Sequence, residues 1–325
     1  MSHVPTQVER PSVTLAGPGW LAAARRGFLA TRPAFLVASV LPVLVGTAWA
    51  DVAFHRLDGL WFALALAATL FAHAATNVYN DVSDDQIGAD PGNEGRIYPY
   101  TGGSRFIQSG LLSRRQMTLL ALGLCIGALG VGTTLAVARG PGVILLGLVG
   151  LGLGLLYSLP GAQLSARGIG EAAVALGLGV LPVLGSVWLQ TGAVDHGAVV
   201  LCIPVSCWVA AILIINEVPD VDADRRANKR TLVVRWGAIG ARRIYRTLTV
   251  IAFGASMVAI GRRWLPIWYV LPAMALAIIG FLAAHRISMD PKHRKRLKNG
   301  IELTLATQAA GCVLIVTALI FKRFV

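Results

Sequence analysis

The feature that most constrains this chain is a recurrence of long apolar stretches along nearly its whole length. Nine are found, near Pro33–Ala50, Leu60–Thr76, Met117–Ala138, Val143–Tyr157, Ile169–Leu189, Ala198–Ile215, Ile244–Ile260, Trp264–Ala284 and Leu303–Phe321. A helix crossing a hydrocarbon core of roughly 30 Å needs about 20 mostly apolar residues. Val143–Tyr157 and Ala198–Ile215 are short for this and are expected to tilt or to extend into the interface. With 55% hydrophobic and 14% charged residues and a mean hydropathy of +0.66, the chain is too apolar for a soluble α/β enzyme. It is equally unlike a disordered chain or one that coats nucleic acid, which needs low hydrophobicity and high charge. The expected fold class is an all-α integral membrane protein with nine transmembrane helices.

The formal charge of +13 is explained by where the cations fall. On the side of the membrane away from the N-terminus stand Arg56, Arg139, Arg262, Arg263, Lys322 and Arg323, out of 29 Lys and Arg. The rest are read on the N-terminal side. By the positive-inside tendency this places the N-terminus in the cytoplasm and the protein in the cell membrane. Anionic lipid is then the expected partner of the surface charge, and nucleic acid is not. Residues 1–27 read as a cytoplasmic N-terminal segment without a signal peptide, and residues 28–325 as one membrane domain. Cys125, Cys202, Cys207 and Cys312 lie in apolar segments without metal-ligand spacing and read as small core residues. The pairs Gly123/Gly127 and Gly150/Gly154 have the spacing of close helix packing in lipid.

Acidic residues number only 16, and most fall in two short windows on the cytoplasmic side. Asp81, Asp84, Asp85, Asp90 and Glu94 follow the second span; Glu217, Asp220, Asp222 and Asp224 follow the sixth. Clustered like charges beside a bilayer are costly and call for a positive ligand. His73, Asn77, Asn80/Asp81 and Asp84 step by three or four residues and would share one helical face. Asn216, Asp220 and Asp224 repeat that spacing, although Pro219 should bend or end the helix near Val218. Carboxylates and carboxamides form an oxygen-only set suited to Mg²⁺, which bridges to phosphate oxygens. Arg96 and Arg105 follow the first cluster, and Arg225, Arg226, Lys229 and Arg230 the second, so cations able to meet a diphosphate stand beside both. Arg105 follows the run Thr101-Gly102-Gly103-Ser104, whose backbone N–H groups are able to face an anion.

The run Asn77-Val78-Tyr79-Asn80-Asp81-Val82-Ser83-Asp84 continues to Gly88-Ala89-Asp90. The later run Asn216-Glu217-Val218-Pro219-Asp220 leads through Asp224-Arg225 to Lys229-Arg230-Thr231-Leu232. Together they resemble the two aspartate-rich motifs of the UbiA superfamily of intramembrane prenyltransferases. Within it they look closer to the branch that prenylates 1,4-dihydroxy-2-naphthoate in menaquinone biosynthesis. Arg32-Pro33, Ser109-Gly110-Leu111 after the glycine run, Arg167-Gly168-Ile169-Gly170-Glu171 and Leu181-Pro182-Val183-Leu184-Gly185 add to that likeness. The resemblance implies nine helices around a central cavity, Mg²⁺ (two ions), a polyprenyl diphosphate donor and an aromatic acceptor. It implies Asn80, Asp84, Asp220 and Asp224 as the core metal ligands, supported by Asn77, Asp81 and Asn216. Lys229 and Arg105 would contact diphosphate, with Arg96 and Arg225 as further cations. Tyr157 would line the acceptor or carbocation site, and Asp81 or Asp85 would assist acceptor deprotonation. Two departures stand out: Gly88 occupies the position of a third Asp in ubiquinone-type members, and Ala34-Phe35 replaces a Lys common after Arg-Pro.

The expected reaction is Mg²⁺-dependent transfer of the prenyl group through an allylic cation, which needs a water-poor chamber. 4-Hydroxybenzoate is the alternative acceptor. A divalent-cation carrier is a rival of another class, but carriers place their acids near the midplane, often in broken helices of repeated halves. A CDP-alcohol phosphotransferase would need a single motif that this chain lacks, and a scaffold would need no paired acids.

Overall fold

A computed structural model describes residues 17–324. Among these, nine helices are long and apolar enough to cross a membrane, and the chain is all-helical. A preceding helix, α1 (Trp20–Ala30), runs across the sequence-derived boundary at residues 27/28, with Trp20, Leu21 and Phe28 exposed. Residues 1–16 of the N-terminal segment lie outside the described residues. The spans are α2 (Pro33–Phe54), α3 (Gly59–Gln86), α4 (Arg114–Arg139), α5 (Pro141–Ser158), α6 with α7 (Gly170–Val174 and Leu181–Thr191), α8 (His196–Asn216), α10 (Leu232–Gly261), α11 (Val270–His285) and α12 (Arg294–Phe324). A short helix, α9 (Val221–Arg226), lies between α8 and α10.

Local chemistry sets these boundaries. Asp58 accepts the N–H groups of Leu60 (2.8 Å) and Trp61 (3.3 Å) at the start of α3. Ser113 and Gln116 form a reciprocal capping box on α4, and Asp195 caps α8 through Gly197 and Ala198. Gly140, with φ 83°, ends α4, and Pro141 begins α5 where a missing N–H costs nothing. Between α6 and α7 the turn widens to a π-helix over Ala175–Val180. Pro182 follows it and cannot donate to the carbonyl four residues back, which favours such a bulge.

Three differences from the sequence reading concern lengths and packing. Helix α3 continues ten residues past Thr76, which carries the first acidic motif on rigid helix. Helix α10 reaches back from Ile244 to Leu232 across a break at Gly237 (φ 62°), so Arg242 and Arg243 lie on helix rather than in a loop, and Arg246, within the predicted span, lies on an exposed face. Of the four glycines at small-residue spacing, Gly127 and Gly154 are in close contact, with Phe71 and Thr76. Gly123 faces open space and Gly150 makes only an ordinary contact with Leu181.

The main core lies among α2, α7, α8, α10, α11 and α12, around Trp49, Trp208, Tyr269, Cys312 and Leu319. Trp49 Nε1 donates to Asp195 at 2.7 Å. At Gly46 a Cβ would stand 2.2 Å from the Val183 carbonyl oxygen, so α2 and α7 meet backbone to backbone. A second cluster of Ile214, Ile215, Val218, Tyr245, Ile287 and Ile301 underlies the end of α8. A third, of Val78, Val82, Phe106 and Met117, fastens the end of α3 and the following loop to α4. The second and third clusters fix the two ends that carry the acidic motifs. Helices α3, α4 and α5 are far less buried than α8 and form the thin side of the bundle.

Candidate active site

A cavity of about 790 Å³ opens within the bundle. Its wall is aliphatic and glycine-rich over α4, α5 and α7, and its polar end is built from the last turns of α3, the turn after α8, and α9. Asn77, Asn80, Asp84, Tyr157, Asn216, Asp220, Asp224 and Lys229 all line it, as does His73. The two motifs therefore meet, and Lys229 joins them: its Nζ lies 3.2 Å from Asp84 and 3.3 Å from Asp224. Burial on its own would lower the Lys229 pKa, but Asp84 and then Asp224 outweigh it and hold the ammonium well above its ordinary range.

On α3 the helical period sorts the acids. Asn80 Nδ2 reaches Asp84 and Ser158, both at 3.3 Å, and Asn77 Nδ2 donates to the Thr31 carbonyl at 3.1 Å. One position on, Asp81 turns away from the cavity, is buried, accepts from Ser104 N at 2.9 Å, and lies 3.7 Å from Arg32. Asp85 is farther from the site: Arg114 binds it at 2.5 Å and Gln108 at 3.0 Å, on the α4 side. Neither acid lines the cavity, so the expected proton-transfer role for Asp81 or Asp85 is not supported by position.

After α8 the backbone departs from a continuous helix, as Pro219 requires. Asn216, Asp220 and Asp224 do not share one helical face: α8 ends at Asn216, a turn carries Glu217–Asp220, and α9 carries Asp224. All three side chains still reach the cavity. Asp220 is fixed by Asn93 Nδ2 at 2.7 Å and by Gly102 N at 3.2 Å. Burial raises the pKa of Asp220, and raises that of Asp224 to about 6 against the opposing pull of Lys229. Asp90, buried beside Asp84 and Asp81, is raised well above the usual carboxylate range, chiefly by burial.

The glycine run does face anions, but they belong to the protein. Gly102 and Gly103 have φ 74° and 71°, where L side chains are strained. A Cβ on Gly103 would stand 2.3 Å from Asp90 Oδ2 and 3.1 Å from Asp81 Oδ1. With Gly102 N on Asp220 and Ser104 N on Asp81, this turn ties the first motif to the second.

The expected cations are placed differently. Arg96 packs against Gly102 and its carbonyl accepts from Arg294. Arg105, with φ 65°, donates to the Asp90 carbonyl, and Arg225 pairs with Asp222 at 3.3 Å on the surface. None of the three lines the cavity, whereas Arg32 does. Arg32 stands before Pro33 with φ 59°, which turns its guanidinium over Phe35 and toward Asp81. Sequence reasoning quoted Arg32-Pro33 without assigning the cation a role. It missed Asn93, whose signal was only proximity to the motif, and named Thr101 and Glu217 within their runs without assigning them a role.

Among the described residues, no three His, Cys, Asp or Glu side chains converge as a ready metal cage. The donor chemistry nevertheless fits Mg²⁺ carried by a phosphate. Such an ion uses one or two carboxylates and takes its other ligands from phosphate and water. At the cavity, Asp90 Oδ2, Asn93 Oδ1, Asn216 Oδ1 and Glu217 Oε2 are buried oxygens without a donor. Each is an acceptor, as a cation requires.

The model of the UbiA prenyltransferase family matches residues 39–306. The 1,4-dihydroxy-2-naphthoate octaprenyltransferase of Bacillus subtilis is 27% identical over 259 residues, 78% of this chain and 80% of that protein. The enzyme of the same name from Mycobacterium tuberculosis is 29% identical over 256 residues, 77% and 83% of the two chains. Among solved structures, a UbiA homologue from Aeropyrum pernix superposes with a TM-score of 0.65 at 20% identity, over 89% of this chain and 98% of that one. A UbiA homologue from Archaeoglobus fulgidus, bound to GPP and Mg²⁺, gives 0.62 at 18% identity over 89% and 99%.

Proposed function

This chain belongs to the UbiA prenyltransferase family, and we propose that it transfers a polyprenyl group from polyprenyl diphosphate to 1,4-dihydroxy-2-naphthoate in a Mg²⁺-dependent reaction. The observation that carries this reading is the junction of Asp84 and Asp224 through Lys229 at the polar end of an otherwise apolar cavity. The acceptor rests on the bacterial relatives, whose names specify that naphthoate; 4-hydroxybenzoate is the alternative. The positive-inside pattern supports a polar end at the cytoplasmic face of the cell membrane.

Asp84 with Asn80, and Asp220 and Asp224 with Asn216, would hold two Mg²⁺ ions, and Asn77 would steady the α3 face. When bound, Mg²⁺ neutralises the diphosphate and makes it a better leaving group. Lys229 and Arg32 bring fixed positive charge to the same end of the cavity, where it stabilises the electron pair departing with the diphosphate. Breaking the C1–O bond leaves an allylic cation on the donor. The aliphatic wall of α4, α5 and α7 keeps water from it. Tyr157, in the last turn of α5, presents an electron-rich ring at the boundary between the polar and apolar parts. The acceptor's ring carbon then forms the new C–C bond, and loss of CO₂ restores its aromaticity.

The test uses membranes containing the protein, radiolabelled polyprenyl diphosphate and a panel of acceptors, with and without Mg²⁺. Labelled prenyl-naphthoquinol precursor should form only with Mg²⁺. Asp84→Ala and Asp220→Ala should abolish it while the protein stays inserted. Undiminished turnover in both variants would refute the reading.

A further inference from the structure

His73 has no part in the diphosphate chemistry, yet it lines the same cavity. It is 6% exposed and stands on the face of α3 that carries Asn77, Asn80 and Asp84. Its Nδ1 lies 2.5 Å from Ser39 Oγ on α2. Ser39 is fully buried, and among the described residues its hydroxyl bonds Nδ1 and nothing else. Ser186, Ser206 and Ser256, by contrast, give their protons to the carbonyl one turn back in their own helices. If Nδ1 donated, the Ser39 proton would be sealed inside the protein without an acceptor, which is costly. Ser39 therefore donates, Nδ1 accepts, and the proton of the neutral ring sits on Nε2.

Nε2 has no partner among the described residues, and it is not one of the orphaned atoms shut off from space, since the ring forms part of the cavity wall. An N–H is thus aimed into a stretch whose other members include Ala38, Ala68 and Ala72. Thr69 and Thr76, on the same wall, give their hydroxyl protons to carbonyls of α3. His73 stands two turns deeper than Asn80, about 10 Å of helix rise, and so lies beyond the level of the diphosphate groups. Lys229 and Arg32, which would meet an anion, are at the polar end. A neutral imidazole in an aliphatic wall does not offset the desolvation of a carboxylate, but it can serve a neutral oxygen. Phe35, one turn before Ser39 on α2, also lines the cavity and adds an aromatic surface for a flat ring.

We propose that the Nε2–H of His73, with its tautomer set by Ser39, donates a hydrogen bond to a ring hydroxyl oxygen of the aromatic acceptor and so selects hydroxylated rings. This rests on the reading of the cavity as an aromatic prenyltransferase site. His73 touches the acceptor; Ser39 acts through His73.

The experiment uses the full chain in lipid nanodiscs, comparing wild type, His73→Leu and His73→Asn. Direct binding is measured, without donor or Mg²⁺, for three rings: 1,4-dihydroxy-2-naphthoate, 2-naphthoate, which lacks the hydroxyls, and 1,4-dihydroxynaphthalene, which lacks the carboxylate. His73→Leu should weaken both hydroxylated rings by about 3- to 10-fold, the range expected for one neutral hydrogen bond. The affinity for 2-naphthoate should stay within about 1.5-fold. His73→Asn, whose amide reaches the position of Nδ1 but not that of Nε2, should give the same split while keeping a partner for Ser39. A loss that is equal for 2-naphthoate and the dihydroxy acid overturns the proposal, because it reports damage to the cavity rather than a lost contact. A loss that follows the carboxylate and spares 1,4-dihydroxynaphthalene overturns it too. If His73→Leu fails to fold, unchanged affinities in His73→Asn overturn it equally. Binding is read without turnover, so failure to prenylate any acceptor, which would defeat the proposed reaction, still leaves this contact tested.

Discussion

Replacing Lys229 by methionine removes the cation that joins the two motifs while leaving a side chain of similar reach. Lys229 is 8% exposed, and the side chains it pairs, Asp84 and Asp224, are 13% and 7% exposed. Breaking a buried pair by deleting one partner costs about 3–5 kcal/mol, because the remaining charge is left uncompensated. For a chain of this length the unfolding entropy converts that to a fall of about 5–8 °C in melting temperature. Two controls separate charge from packing. Burial raises the Asp224 pKa to about 6 against the pull of Lys229. In the variant that pull is gone and the pKa stands higher, so the deficit should shrink as pH falls through the neutral range, where protonation removes the orphaned charge. The double variant Asp84→Asn/Lys229→Met should lose less than the sum of its parts. Thermal denaturation of purified protein without divalent ions is the assay, repeated with added Mg²⁺. The ion should recover more stability in Lys229→Met than in wild type, since it competes with no ammonium there. A variant that melts within about 1 °C of wild type at neutral pH, with or without Mg²⁺, would refute the argument, because a buried pair of this kind cannot be lost so cheaply.

Other substitutions test separate parts of the structure. Asp85→Asn should change turnover less than about twofold and stability by about 0.5 kcal/mol, since its partner Arg114 is half exposed; a large loss of turnover with normal melting would restore it to the reaction. Gly103→Ala forces a Cβ onto Asp90 at a left-handed φ, and should cost about 1–3 kcal/mol in strain while lowering turnover more than Asp85→Asn does. Trp49→Ala should cost about 3–5 kcal/mol. Trp49→Phe, which deletes the bond to Asp195 and part of the buried ring, should cost about 1.5–3 kcal/mol, and both are read by melting.

Much of the architecture was legible because hydrocarbon thickness leaves a plain mark: every predicted span overlaps a helix. Their ends were not, because polar residues continue a helix once it leaves the bilayer. Thus α3 runs ten residues past Thr76, and helix before Ile244 reaches back to Leu232 across a break at Gly237. Periodicity placed Asn77, Asn80 and Asp84 on the cavity face. It failed to exclude Asp85, whose direction depends on Arg114 arriving from another helix. In the second motif the break was visible in Pro219, but its consequence for Asp220 was not, because the partners of that side chain, Asn93 and Gly102, lie more than a hundred residues away. Arg96, Arg105 and Arg225 were credited for charge alone, whereas Arg32 reaches the cavity through a left-handed backbone that its residue type does not announce.

The turn at Thr101–Ser104 gives the resting molecule a particular economy. Its N–H groups hold one acid of each motif, so the two halves of the site are assembled before any ligand arrives. An incoming donor has little chain to order and can use its contacts for affinity instead. The same arrangement makes the turn a poor place to accept change, since lengthening it by one residue would let the halves drift while every acid in them stayed intact.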